Sequence, residues 1–197
     1  MKREKLAAVF LAAAAVLAFA ASAGAVDGTI EINQAKVLAG SGFPYVISNP
    51  GSYRLTGNLT VSGTADAIDL FATNVTIDLN GFSITGTGGV SGGAGVNSFT
   101  NGSVTVENGT ITGFTGQAAI ELGINGIVRN VRATGNNFGI TGAAGSLISG
   151  NTINGNSIGL NCPSTCGWGG NVLTGNGTDV IGGATSMGNN VCHTGLC

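Results

Sequence analysis

From about residue 45 onward the apolar residues of this chain fall into short runs, and the runs recur. Val75-Thr76-Ile77, Val104-Thr105-Val106, Ile127-Val128 and Leu147-Ile148 alternate or pair as half-buried strands require. A second column of apolar positions runs Ile68, Val96, Ile120, Ile140, Leu160 and Val180. A third runs Ile84, Ile111, Ala133, Ile153 and Leu173, and each of its members precedes a Thr-Gly or Asn-Gly pair. The spacing of those pairs settles to 20 residues over Thr134-Gly135, Asn154-Gly155, Thr174-Gly175 and Thr194-Gly195, with His193 replacing the apolar residue in the last copy. No window between Gly42 and Cys197 keeps a 3.6-residue apolar stripe for three turns. Of the 36 glycines, 35 follow residue 27, where each would cost a helix about 1 kcal/mol.

Three short strands per repeat, always in the same order, predict a solenoid whose strands run parallel from coil to coil. Coils about 4.8 Å apart stack like residues on like. Asn136, Asn156 and Asn176 recur at the strict period, as a side-chain amide ladder at a tight bend requires. Before the coils, Thr29-Ile30-Glu31-Ile32 reads as a strand, and Asn33 to Leu38 as an amphipathic turn or short helix that caps an otherwise open edge. Turns at Gly42-Phe43-Pro44 and Asn49-Pro50-Gly51 precede coil strands at Ser52 to Leu55 and Leu59 to Val61. The Gly/Ser/Thr/Asn run from Gly86 to Ser103 is a protruding loop or one irregular turn. The predicted organisation is a leader over 1–25, a cap over 26–45 and coils over 46–197.

The leader changes the picture of charge and compartment. Lys2, Arg3 and Lys5 precede an apolar run from Leu6 to Ala20, and two A-x-A sites follow, so cleavage after Ala23 or Ala25 and export to the periplasm or beyond are expected. The remaining chain carries four basic and eight acidic residues, a formal charge of −4. With no basic patch, nucleic acid is an unsuitable partner. After cleavage no membrane segment is expected.

All four cysteines, Cys162, Cys166, Cys192 and Cys197, lie in the final 36 residues. Export makes disulfides the default. Partners stacked on successive coils would be separated by a multiple of the coil length, which the long-range spacings are not. The local pairs Cys162–Cys166 and Cys192–Cys197 are therefore favoured over the other two connectivities, and a tail clipped by disulfides should close the stack. A metal site built from the same cysteines with His193 matches no usual zinc spacing, so no metal and no cofactor is expected.

Three segments carry a resemblance. Ser48 to Thr60 (SNPGSYRLTGNLT), Asn74 to Ile84 (NVTIDLNGFSI) and Gly150 to Asn156 (GNTINGN) are similar to exported bacterial right-handed parallel β-helix repeat proteins of the pectin-lyase-like superfamily. The resemblance implies an all-β, right-handed single-stranded parallel β-helix of about seven coils. That superfamily includes lyases, glycoside hydrolases, epimerases and adhesins, so the fold leaves the activity open.

Aligning the coils places Asp78, Glu107 and Arg129 in one outward column on successive coils. Two carboxylates beside an arginine suit acid–base attack on a polysaccharide, and the superfamily's lyases are similar in setting acidic residues near an arginine on an external sheet. The reading favoured over chemistry is a solvated charge ladder in which Arg129 offsets carboxylate repulsion. Asp69 and Glu121, two coils apart with Asn97 between them, form a second acidic pair. Trp168 is a candidate for stacking on a sugar ring, against packing over the final coil. His193, the only histidine, suits a cap better than a triad. The glycines from Gly86 to Gly95 have no following Lys-Ser or Lys-Thr, which removes a phosphate loop. The leading expectation is a non-catalytic module that binds polysaccharide or a cell-surface glycan. The rivals are a polysaccharide lyase or glycoside hydrolase using Asp78, Glu107 and Arg129, and a purely structural or adhesive element.

Overall fold

The computed structural model describes residues 28–87, 92–98, 101–193 and 195–197. The leader expected over 1–25 lies outside them. The chain is a parallel β-solenoid of about seven turns, and 53% of the described residues lie in strands. Each turn contributes to three faces. Face 1 is built from Tyr45–Ile47, Ile68–Leu70, Val96–Asn97, Ala118–Glu121, Phe138–Thr141 and the first halves of Ile158–Gly169 and Thr178–Ser186. Face 2 follows with Thr29–Ile32, Gly51–Leu55, Val75–Asp78 and the opening residues of Val104–Thr112 and Ile127–Thr134. Face 3 carries Leu59–Val61, Ser83–Gly86, the ends of those two long strands, Thr152–Asn154, Val172–Thr174 and Val191–Cys192.

The apolar columns legible in the sequence are the inward columns of the solenoid. Ile68, Val96, Ile120, Ile140, Leu160 and Val180 stand in direct register on face 1. Ile84, Ile111, Ala133, Ile153 and Leu173 do so on face 3. All members of the second set are fully buried. Each large aliphatic member contributes about 1.5–3 kcal/mol before conformational entropy is set against it. Between Ser83–Gly86 and Val104–Thr112, the described pair Val96–Asn97 keeps the rung on face 1.

Asparagine ladders hold the corners. At the corner from face 3 to face 1, Asn136 and Asn156 each donate Nδ2 to the next asparagine up the stack, ending on Asn176, at 3.0 Å. The acceptor Oδ1 atoms also take the backbone N–H groups of Asn136 and Asn156 at 3.0 Å. A second ladder at the corner from face 2 to face 3, Asn151, Asn171 and Asn190, repeats this bonding. It has the same 20-residue signal in Gly150-Asn151 and Gly170-Asn171, which sequence reasoning passed over. The asparagines fit because buried polar groups persist only when their hydrogen bonds are made, and here each amide is used on both sides.

The two ends differ. Helix Gln34–Ala39 begins at Asn33, whose side chain accepts the Lys36 N–H, and buries Val37 against the first rung. Gln34 accepts the Thr60 N–H at 2.8 Å and donates to the Thr60 carbonyl at 3.1 Å, so its amide stands in for a missing strand. At the other end, disulfides join Cys162 to Cys166 and Cys192 to Cys197, the local pairing expected. Only the second clips the final rung. Cys162 and Cys166 are buried one rung earlier, next to Gly142. The disulfides suit an oxidising or extracellular environment. Among the described residues no helix is long and apolar enough to cross a membrane.

Candidate functional site

The residues that alternate with the inward columns form outward columns, and one of them on face 2 is charged along five rungs. Glu31, Arg54, Asp78, Glu107 and Arg129 stand in direct register. Asp78, Glu107 and Arg129 are therefore brought together as expected, and the sequence reading missed the first two members. Their spacings of 23 and 24 residues lie outside the 20-residue period and across Asn49-Pro50-Gly51, but the alternation of Tyr53 inward with Arg54 outward carries the signal.

Within the ladder the charges are committed to one another and to the corner. Arg129 Nε lies 2.5 Å from Glu107 Oε2, with the arginine side chain 54% exposed and the glutamate 15%. Asp78 Oδ1 accepts the Asn80 N–H at 2.8 Å and the Asn108 side-chain amide at 3.0 Å. A hollow of about 200 Å³ lies over the ladder, bounded by Thr29, Ser52, Arg54, Thr76, Asp78 and Glu107.

A larger concavity lies at the adjoining corner. There Asn80, Asn108 and Asn130 take φ of 50°, 61° and 54°, and Gly150 follows at 65°, so the chain bends sharply at the same place in successive rungs. Beyond the bend, Thr110, Arg132 and Thr152 stand in register on face 3. With Gly81, Gly109 and Asn130 they line a groove of about 370 Å³. Arg132 is exposed, and among the described residues it has no carboxylate partner. The signal for it was available, since Thr110, Arg132 and Thr152 each precede an inward residue of the Ile111 column.

On face 1 the expected acidic pair is present and has a third member. Asp69, Asn97 and Glu121 are in register. Asp66 accepts the Ala94 N–H at 2.5 Å and the Asn97 amide at 2.9 Å, so it ties two rungs together. Burial, then the hydrogen bond and charge of Asp66, push the Asp69 carboxyl up to about 7, against a lowering from Asn97. Burial and then the Asp66 charge also raise Glu121, whose Oε2 accepts from the Gln117 amide at 3.2 Å. The described residues contain no group of three or more His, Cys, Asp or Glu placed to hold a metal ion.

Trp168 requires a correction. Its indole is 4% exposed and occupies the inward column of Ile77, Val106, Val128 and Ile148, so it is core and offers no platform to a sugar. His193 lies in the terminal turn, where its backbone N–H donates to Asp179 Oδ2 at 2.7 Å, a capping position.

No protein-family model, curated protein or solved structure gives a significant match to this chain. The architecture therefore stands on the rungs themselves, and none of these comparisons supports membership of the pectin-lyase-like superfamily.

Proposed function

We propose that the chain is an exported, non-catalytic module that holds polysaccharide or a cell-surface glycan along the edge between faces 2 and 3. The observation that carries this reading is the Arg132 groove. An exposed guanidinium without a carboxylate partner sits between two threonine hydroxyls and beside a carboxamide, in a concavity long enough for sugar units to lie across successive rungs. Hydroxyl and amide groups match sugar hydroxyls, and a fork of N–H donors matches a carboxylate or sulfate substituent. The face 2 ladder supports binding over cleavage, because Glu107 is held by Arg129 and Asp78 by Asn80 and Asn108.

Affinity electrophoresis against acidic and neutral polysaccharides tests this. An acidic polysaccharide should retard the protein, Arg132→Ala should weaken the retardation about tenfold, the loss of one charge-assisted contact, and the polymer should stay intact. Chain cleavage that disappears in Glu107→Gln would make the protein a lyase or hydrolase instead. Cell attachment with no retardation by any glycan would make it a structural or adhesive element.

A further inference from the structure

The groove that holds Arg132 has a neighbour of opposite character, and the two share rungs. Glu107 in the hollow over face 2 is two residues from Gly109 in the groove, and Asp78 is three from Gly81, a span of at most about 11 Å along the chain. Only the bend at Asn80 and Asn108 stands between them. Charge reverses across it. The groove carries Arg132, whereas the column under the hollow sets three carboxylates, Glu31, Asp78 and Glu107, against the two guanidinium groups of Arg54 and Arg129. Two of those carboxylates keep bonding capacity. Glu107 meets Arg129 through Oε2, and both bonds to Asp78 fall on Oδ1, so among the described residues Glu107 Oε1 and Asp78 Oδ2 take no hydrogen bond.

We propose that the glycan held by this chain carries free amino groups as well as acid groups, an ammonium binding between Asp78 and Glu107 while a carboxylate or sulfate on a neighbouring sugar binds Arg132. The proposal rests on the glycan-binding role of the Arg132 groove. An ammonium has three N–H donors and no acceptor. Asp78 and Glu107 stand in register on adjacent rungs, about 4.8 Å apart. Thr76 lies two residues before Asp78 on the same side of its strand. The hollow thus gathers two unused carboxylate oxygens and a hydroxyl, one acceptor for each donor. A metal ion is a poorer occupant. Calcium takes about six to eight oxygen ligands, and among the described residues no group of three or more His, Cys, Asp or Glu is placed to hold a metal. A glycan bearing acid groups alone would set like charge against the column beneath the hollow, whereas one bearing both signs finds an opposite charge on each side of the bend.

Affinity electrophoresis with one polymer in two forms tests this. Carboxymethyl chitosan carries amines and carboxylates on a single backbone, and N-acetylation removes the ammonium while leaving the carboxylates. In mild acid, with the amines protonated, the free-amine form should bind about tenfold more tightly, the effect of one hydrogen bond between charged groups. Glu107→Gln should bring the two forms to parity, and Glu121→Gln on face 1 should leave the preference intact. Equal or tighter binding of the N-acetylated form overturns the ammonium site and leaves the Arg132 groove standing. A preference that survives Glu107→Gln is bulk attraction of a polyamine to an exported chain of formal charge −4, and it overturns the site as well. Retardation by neither form, nor by carboxymethylcellulose, removes the glycan-binding role itself.

Discussion

Asn156 shows how one side chain serves three rungs. Its Oδ1 accepts both the backbone and side-chain N–H groups of Asn136, and its Nδ2 donates to the Ala133 carbonyl and to Asn176. Removing it strands donors below and acceptors above in a buried corner. Asn156→Ala should therefore cost about 2–4 kcal/mol in denaturant unfolding, the sum of unmet buried groups and not the worth of one hydrogen bond. Asn156→Leu should do no better, and a cost near zero for either would show that water replaces the ladder. The Asn136 series was legible because each member follows a Thr-Gly or Asn-Gly pair at a fixed step. Trp168 was misread for a physical reason. Flanked by Gly167 and Gly169 and close to Cys166, it has the neighbours of a loop, whereas the three residues lie on a strand, with the glycines turned toward Met187 and the indole toward the core.

At the level of a strand and its neighbours, the acidic cluster on face 1 governs how stability responds to pH. Asp66, Asp69 and Glu121 face one another, with Asn97 and Gln117 as the neutral groups between them. Asp69 titrates near 7 in the folded chain and near 4 when unfolded, so the folded state holds its proton more tightly. That stabilisation is complete below about pH 4 and is lost as the pH rises through about 7. The Tm should be highest in mild acid and decline toward pH 8. Asp69→Asn should flatten the decline and raise the Tm at pH 8 above that of the wild type; an unchanged slope would place the ionisation elsewhere. Sequence alignment of the coils found Asp69 and Glu121 but not Asp66. Asp66 lies before the strand, in a turn that obeys no period, and meets Asn97 only because the long segment after Gly86 returns to the rung.

The whole molecule is a one-dimensional stack, so its stability is set from the ends inward. One end is covered by a helix and the other is held on face 3 by a single disulfide. Hydrogen exchange should therefore run in a gradient, slowest near the rungs of Ile77 and Ile111 and fastest at 178–197, and reduction of the disulfides should steepen it at the last rung. Equal protection from end to end would mean that the chain unfolds as one unit. Architecture was the most legible property of the sequence, because stacking repeats the same constraint on every rung. The groove at Arg132 was the least, because it arises where a column on face 3 meets a bend set by Asn80, Asn108 and Asn130. No local motif marks such a meeting. The fixed step also has a consequence for the history of the chain. Asn136, Asn156 and Asn176 repeat at a step of 20 with matching bonds above and below, so duplication of a 20-residue window there returns the corner amides to matching neighbours. A gene encoding this protein can lengthen in whole rungs while the cap and the clipped tail stay as they are.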